Sequence, residues 1–259
     1  MITADRVKTY INNAHTVICS FCCSSYYVID ENKAICNRCE MPYTKEQISD
    51  SYQSIVKGAL DIEEEDKILK RLGELESLYS SSKDIKALYI KALLEIKLSN
   101  IYLKRIAYSK EGFMEENAKL RLEATKLYAL AKADIIRFIE SVDDASDLAM
   151  YKKAIAYFKL NNLTAVRYYS NKIDDIFLKS YLKMLLDLTN GDKKDLANLS
   201  EWIFSAGSLN GIFYNIIALI KQERIDQADK LFKVYKDIGS SSDIEKIESM
   251  IAEYRSTYL

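Results

Sequence analysis

Two C-x2-C pairs, Cys19-Ser20-Phe21-Cys22 and Cys36-Asn37-Arg38-Cys39, lie thirteen residues apart and constrain this chain more than anything else in it. A two-residue gap lets one tight turn aim two sulfurs at a single ion, and this spacing is that of a four-thiolate zinc site. The segment between the pairs must fold back to set the second pair opposite the first. Val28 and Ile29 before Asp30-Glu31-Asn32-Lys33, with Ala34 and Ile35 after, predict a short hairpin across that polar turn. Cys19, Cys22, Cys36 and Cys39 are therefore the expected ligands of a structural Zn2+ ion. So small a module has too little core to fold unaided, and structural zinc contributes on the order of 10 to 16 kcal/mol in finger-sized peptides. Four thiolates leave no coordination position for water, which argues against a hydrolytic metal.

All five cysteines fall between Cys19 and Cys39, with no apolar leader ahead of them. Clustered pairs of this kind favour metal over disulfides and a reducing, cytoplasmic interior. Cys23 is the extra thiol; it is an alternative to Cys22 but reads as a bystander facing the hairpin or solvent. His15, the single histidine, stands four residues before Cys19 and reads as a surface residue ahead of the first strand rather than a ligand.

The rest of the chain predicts helices. Of 259 residues one is proline and seven are glycine, and the 49% hydrophobic content is ample for a packed core. A short amphipathic helix over residues 4–13 leads into Thr16-Val17-Ile18 as a strand. The cysteine module then runs to about Tyr43, giving a boundary between residues 1–43 and a helical array over 44–259, with Pro42 as a rigid exit. Thr44-Lys45-Glu46-Gln47 has the form of a capping box, opening a helix to about Lys57. Asp61 to Asp66 place acidic groups at the next helix start, where the dipole favours them. Ser80 to Asp84 end that helix and begin another over 85–110, roughly 39 Å long at 1.5 Å per residue. Glu111-Gly112 breaks it, and a second long helix carries Leu120, Ala124, Leu127, Ala131, Ile135 and Phe138 on one stripe. Joined by a short turn, the two must form an antiparallel hairpin, about 83–142.

From Asp147 the helices shorten into three pairs over about 147–238, with turns at Asn161, Gly191 and Glu223 that fall 30 and 32 residues apart. That period belongs to helical solenoids. The pairs are Leu148 to Leu160 with Leu163 to Ile173, Phe177 to Leu188 with Leu196 to Phe204, and Ile212 to Lys221 with Ile225 to Tyr235. A terminal helix over about 242–258, capped by Ser242 with Glu245 three residues on, closes the array. The apolar stretch from Trp202 to Ile220 is broken by Ser205, Gly207, Ser208, Asn210, Gly211 and Asn215, so it predicts a loop and a buried helix and no membrane span.

Two resemblances follow from these residues. Ala154-Ile155-Ala156-Tyr157-Phe158-Lys159-Leu160-Asn161-Asn162-Leu163 resembles the first half of a tetratricopeptide repeat. Ala165 and Tyr169 look like its second-helix positions with one residue fewer in the turn, and Ala218, Ile225, Ala228 and Phe232 match without a gap. Cys19, Cys22, Val28-Ile29-Asp30, Ala34-Ile35-Cys36 and Cys39 resemble the zinc ribbons of transcription factor B and related transcription proteins. In those proteins the four cysteines hold zinc and the ribbon docks on RNA polymerase. Glu40 stands where that family carries glycine, and nothing downstream resembles its promoter-binding repeats.

The expected fold is therefore mainly α: a small zinc-ribbon hairpin followed by a tetratricopeptide-like array of helix hairpins. No glycine-rich nucleotide loop, phosphate loop or serine elbow appears, and the formal net charge of -1 lacks the basic signature of a general nucleic-acid binder. Asp143-Asp144 and Asp174-Asp175 sit at helix boundaries and read as caps. Arg167-Tyr168-Tyr169 beside Lys152 and Lys153 alternate cation and aromatic as single-strand binders do, though such tyrosines also fill helix seams. The expected function is a non-enzymatic scaffold that binds a protein partner through the ribbon and the helical surface. The alternative is a transcription- or RNA-associated factor that docks on polymerase or nucleic acid.

Overall fold

The computed structural model describes residues 4–109, 114–190, 209–239 and 241–258. It is mainly helical, with a small antiparallel hairpin near the N-terminus. Helix α1 spans Ala4–Asn13, as its apolar spacing predicts. Strands β1 (His15–Ile18) and β2 (Ser25–Val28) follow, paired His15 to Val28 and Ile18 to Ser25.

This hairpin is not the one expected. Its turn is the first C-x2-C pair itself, closed by the Cys19 amide donating to the Ser24 carbonyl at 3.0 Å. Asp30 to Lys33 form a 3-10 turn instead, with the Asp30 carboxylate accepting from the Asn32 amide at 3.0 Å. The second pair has a smaller hairpin of its own, in which Ile35 bridges Pro42 and the Tyr43 amide donates to the Ala34 carbonyl at 2.9 Å. A C-x2-C turn already reverses the chain, so each pair brings its flanks together locally.

The predicted capping box also gives way. The Thr44 hydroxyl, which the box needs along with the Gln47 side chain, lies 2.8 Å from the hydroxyl of Ser20. With that hydroxyl engaged, α2 begins later, at Asp50–Val56, and Ser49 is its cap.

Helix α3 (Glu65–Ser82) carries Glu65 and Asp66 in its first turn and buries Ile68, Leu72, Leu75 and Leu78 at three- and four-residue spacing. It stops at Lys83 in the left-handed region, and the Asp84 side chain caps α4 (Ile85–Ala107). Helix α5 (Met114–Ser141) returns along α4. The pairs Lys91 with Asp134 and Ser99 with Ala124 step in opposite sequence directions, so the two are antiparallel. Helix α4 ends three residues short of the expected Lys110, and the expected break at Glu111-Gly112 lies outside the described residues.

Beyond it come α6 (Asp147–Lys159), α7 (Leu163–Ser170), α8 (Ile176–Asn190), α9 (Leu209–Lys221), α10 (Ile225–Tyr235) and α11 (Ser241–Tyr258). Helices α6 and α7 pack as a pair, as do α9 and α10. The expected turn at Gly191 and helix over 196–204 lie outside the described residues. Helix α11 begins at Ser241, one residue before the expected cap.

The two described pair turns are built alike. Asn161 and Glu223 both have positive φ, 55° and 64°. The next amides, Asn162 and Arg224, donate to the Tyr157 and Leu219 carbonyls at 3.0 and 2.9 Å. Asn161 and Glu223 donate to Phe158 and Ile220, both at 2.9 Å, which completes a Schellman motif in each case.

Helix α9 is buried from Gly211 to Ile220, which suits a stretch apolar on every side but for Asn215. No helix among the described residues is long and apolar enough to cross a membrane. One continuous core joins everything, from Val17 and the cysteines to Ile251.

Candidate metal centre

The four predicted ligands converge. The sulfurs of Cys19, Cys22, Cys36 and Cys39 all lie within 4.8 Å of one another, and all four residues are buried. Cys19 and Cys39 approach to 3.5 Å and Cys22 and Cys36 to 3.4 Å. A disulfide would need about 2.05 Å. A tetrahedron of sulfurs around an ion at 2.3 Å has edges of about 3.8 Å, which the cluster brackets. Four cysteines from two hairpin tips thus form a site compatible with zinc.

The two knuckles repeat one geometry. In the first, the Phe21 amide donates to the Cys19 sulfur at 3.4 Å and the Cys23 amide to the Cys19 carbonyl at 3.0 Å. In the second, Arg38 donates to the Cys36 sulfur at 3.5 Å and Glu40 to the Cys36 carbonyl at 2.9 Å. Such bonds favour thiolate at the accepting sulfur. Each turn closes on a residue in the left-handed region, Cys23 at φ 54° and Glu40 at φ 60°. That conformation suits glycine best. Cys23 therefore has a backbone role that its thiol does not suggest, and it lies outside the sulfur cluster.

Burial raises the Cys36 and Cys39 thiols well above the ordinary cysteine value. Hydrogen bonds with Cys19, Cys36 and Cys39 hold Cys22 well below it. Burial likewise pushes Cys23 up to about 12, so it is a neutral thiol at neutral pH. A zinc ion at this place would draw the protons off the buried thiols, supplying two charges and four bonds.

The cluster is enclosed by the helices. Tyr52 on α2 donates to the Phe21 carbonyl at 2.5 Å, Tyr89 on α4 to Cys39 at 3.2 Å, and Tyr151 on α6 to Glu40 at 3.0 Å. Tyr214 on α9 donates to the Glu40 carboxylate at 3.2 Å, and Lys159 on α6 pairs with that carboxylate at 2.5 Å. Asn37 reaches Asp243 on α11 at 3.1 Å. Phe21, inside the first knuckle, meets Tyr89 and Phe138 edge to face at centroid distances of 6.2 and 6.1 Å. A buried tyrosine needs a partner for its hydroxyl. Here knuckle carbonyls serve, a role not legible in a composition of nineteen tyrosines.

Other singled-out residues lie elsewhere. His15 is half exposed and pairs with Glu31 at 3.0 Å, which also pairs with Lys45 at 2.6 Å. Asp144 accepts from the Ser146 amide at 2.7 Å and Asp175 from Leu178 at 2.8 Å, as helix-end residues do. Tyr169 stacks on Tyr157 with centroids 5.6 Å apart, Tyr168 is exposed, and the Lys172 ammonium lies 4.3 Å from its ring centroid. Lys152 turns to Phe21 instead, 5.6 Å from its centroid.

Comparison with protein families, with curated proteins and with solved structures found no match.

Proposed function

We propose that Cys19, Cys22, Cys36 and Cys39 hold a structural zinc ion and that the protein is a non-enzymatic scaffold that binds a protein partner. The observation that carries this reading is the enclosure of four buried sulfurs by helices from α2 to α11. Such a site has every coordination position filled by sulfur, which suits it to holding structure rather than activating water. The metal would then do for the small hairpins what their own core cannot.

In this reading the helices from Asp147 onward form a tetratricopeptide-like array. The matching Schellman turns at Asn161 and Glu223 support it, being 62 residues apart, or two periods of 31. Helical arrays present extended surfaces to partners. Large apolar groups are exposed where α4 ends and α5 begins, Tyr108 at 79% and Met114 at 84%, and such groups favour association. The transcription- or RNA-associated alternative draws on exposed Tyr168 with Lys172 over its ring, a pairing that suits base stacking.

Affinity purification from native lysate with the intact chain and with a Tyr108→Glu, Met114→Glu double variant tests the reading. Deleting the cysteine module would not serve, because its residues belong to the shared core. Nuclease-resistant recovery of a defined protein, lost in the double variant, supports the scaffold. Recovery that depends on nucleic acid and on Tyr168 would replace it with the alternative.

A further inference from the structure

Arg38 stands between two zinc-site cysteines, and its side chain lines a cleft of about 440 Å3 together with Lys97 and Lys104 of α4 and Lys159 of α6. Cationic residues from three separate elements line it, with Glu63 as the lining carboxylate among the described residues. Three of them are tethered: Arg38 to Asp61 at 3.0 Å, Lys97 to Glu63 at 2.6 Å and Lys159 to Glu40 at 2.5 Å. Lys104 has no ion-pair partner among the described residues. The Asp61 and Glu63 side chains are 47% and 76% exposed, so their pairs are solvated and exchange cheaply for another anion.

The remainder of the lining is apolar, with Leu60, Leu93 and Ile96, and Asn100 adds one donor and one acceptor. The walls are held in place before any ligand arrives. The Arg38 amide is fixed to the Cys36 sulfur, and α4 and α6 are tied to the same knuckle by Tyr89 and Tyr151.

We infer that this cleft binds a small organic phosphate. Lys104, without an ion pair among the described residues and beside Arg38 and Lys97 whose pairs are solvated, suits a group with three charged oxygens better than the planar fork of one carboxylate. The apolar lining takes the organic part, and the volume is that of a small-ligand site. With a net charge of -1 the chain lacks the broad positive field that would draw a nucleic-acid backbone, so the occupant is a small molecule.

Calorimetric titration of the metal-replete full chain with adenosine monophosphate, adenosine and inorganic phosphate tests this. Adenosine monophosphate binds saturably and more weakly in high salt, adenosine does not bind, and inorganic phosphate binds about tenfold more weakly or worse. Lys104→Glu lowers affinity for the nucleotide by about tenfold or more. Lys132→Glu, the same charge change at an exposed position on α5, leaves it within about twofold. Both lysines are exposed, so both variants fold, as circular dichroism verifies. Absence of saturable binding, equal loss in the two variants, or inorganic phosphate binding as tightly as the nucleotide would overturn the inference.

Discussion

The Tyr89 hydroxyl donates to the Cys39 carbonyl at 3.2 Å, tying the first long helix to the last cysteine across fifty residues of sequence. Tyr89 is fully buried, and its ring packs on Phe138 with centroids 4.8 Å apart. The cysteine module and the helical hairpin are therefore mechanically continuous. Tyr89→Phe removes one hydrogen bond and should cost about 1 kcal/mol in urea denaturation. Tyr89→Ala also empties the space between Phe21 and Phe138 and should cost about 3 to 5 kcal/mol.

Metal removal should spread through the molecule for the same reason. Purified protein should contain one zinc ion per chain by mass spectrometry. Cys22→Ser should lose it, whereas Cys23→Ser, altering a thiol outside the cluster, should retain it. Chelation should abolish far-ultraviolet helical signal cooperatively, because the knuckles form part of the core. Retention of full helicity after metal loss would contradict this.

Glu40 has two opposing roles, which a substitution can separate. Glycine at this position would relieve the φ of 60°, worth about 1 kcal/mol. It would also strip Lys159 and Tyr214 of their shared carboxylate, leaving a mostly buried ammonium without its partner. Loss of a partner outweighs relief of the backbone, so Glu40→Gly should destabilise by about 2 kcal/mol. Adding Lys159→Met should recover part of that in the same denaturation assay.

The buried network under the hairpin makes a pH prediction. Lys91 contacts Asp134 at 2.6 Å, Glu95 at 3.0 Å and Glu76 at 3.1 Å. Burial opposes its charge, but bonds to Asp134 and Glu95 hold its pKa above the usual lysine value. Burial pushes the 2%-exposed Glu95 up to about 7, against about 4.3 in an unfolded chain. The folded state thus holds this proton more tightly, and the group's contribution to stability declines as pH rises from about 4.3 to 7. Glu95→Gln lacks that decline. Its stability relative to the parent should rise by on the order of 2 kcal/mol between pH 5 and 8, read from melting curves at each pH.

The matched pair turns can be compared directly. Glycine at either left-handed position should stabilise, and Glu223→Gly should gain more than Asn161→Gly, because asparagine tolerates that conformation better than glutamate. The backbone share of the gain at Glu223 is about 1 kcal/mol, against which the contact made by its side chain is lost. A larger gain at Asn161 would show that side-chain contacts, not backbone preference, decide these turns.

Which four cysteines converge, and the run of helices, could be read from the sequence. Ligand spacing within a knuckle is a local matter, settled by a turn of four residues, and so Cys19, Cys22, Cys36 and Cys39 were legible without a fold. Helix periodicity is equally local, which is why α1, α4, α5, α6 and α10 fall where apolar spacing puts them. Capping at Thr44 failed because Ser20, a distant residue, engages its hydroxyl, and the hairpin across Asp30 to Lys33 failed because each knuckle supplies its own reversal. That the knuckles sit inside the helices, with Tyr52, Tyr89, Tyr151 and Tyr214 as their hydrogen-bond donors, follows from long-range packing. A tyrosine's need for a partner is written in its chemistry, but which carbonyl meets that need depends on residues far away in sequence, brought close by burial of a common core.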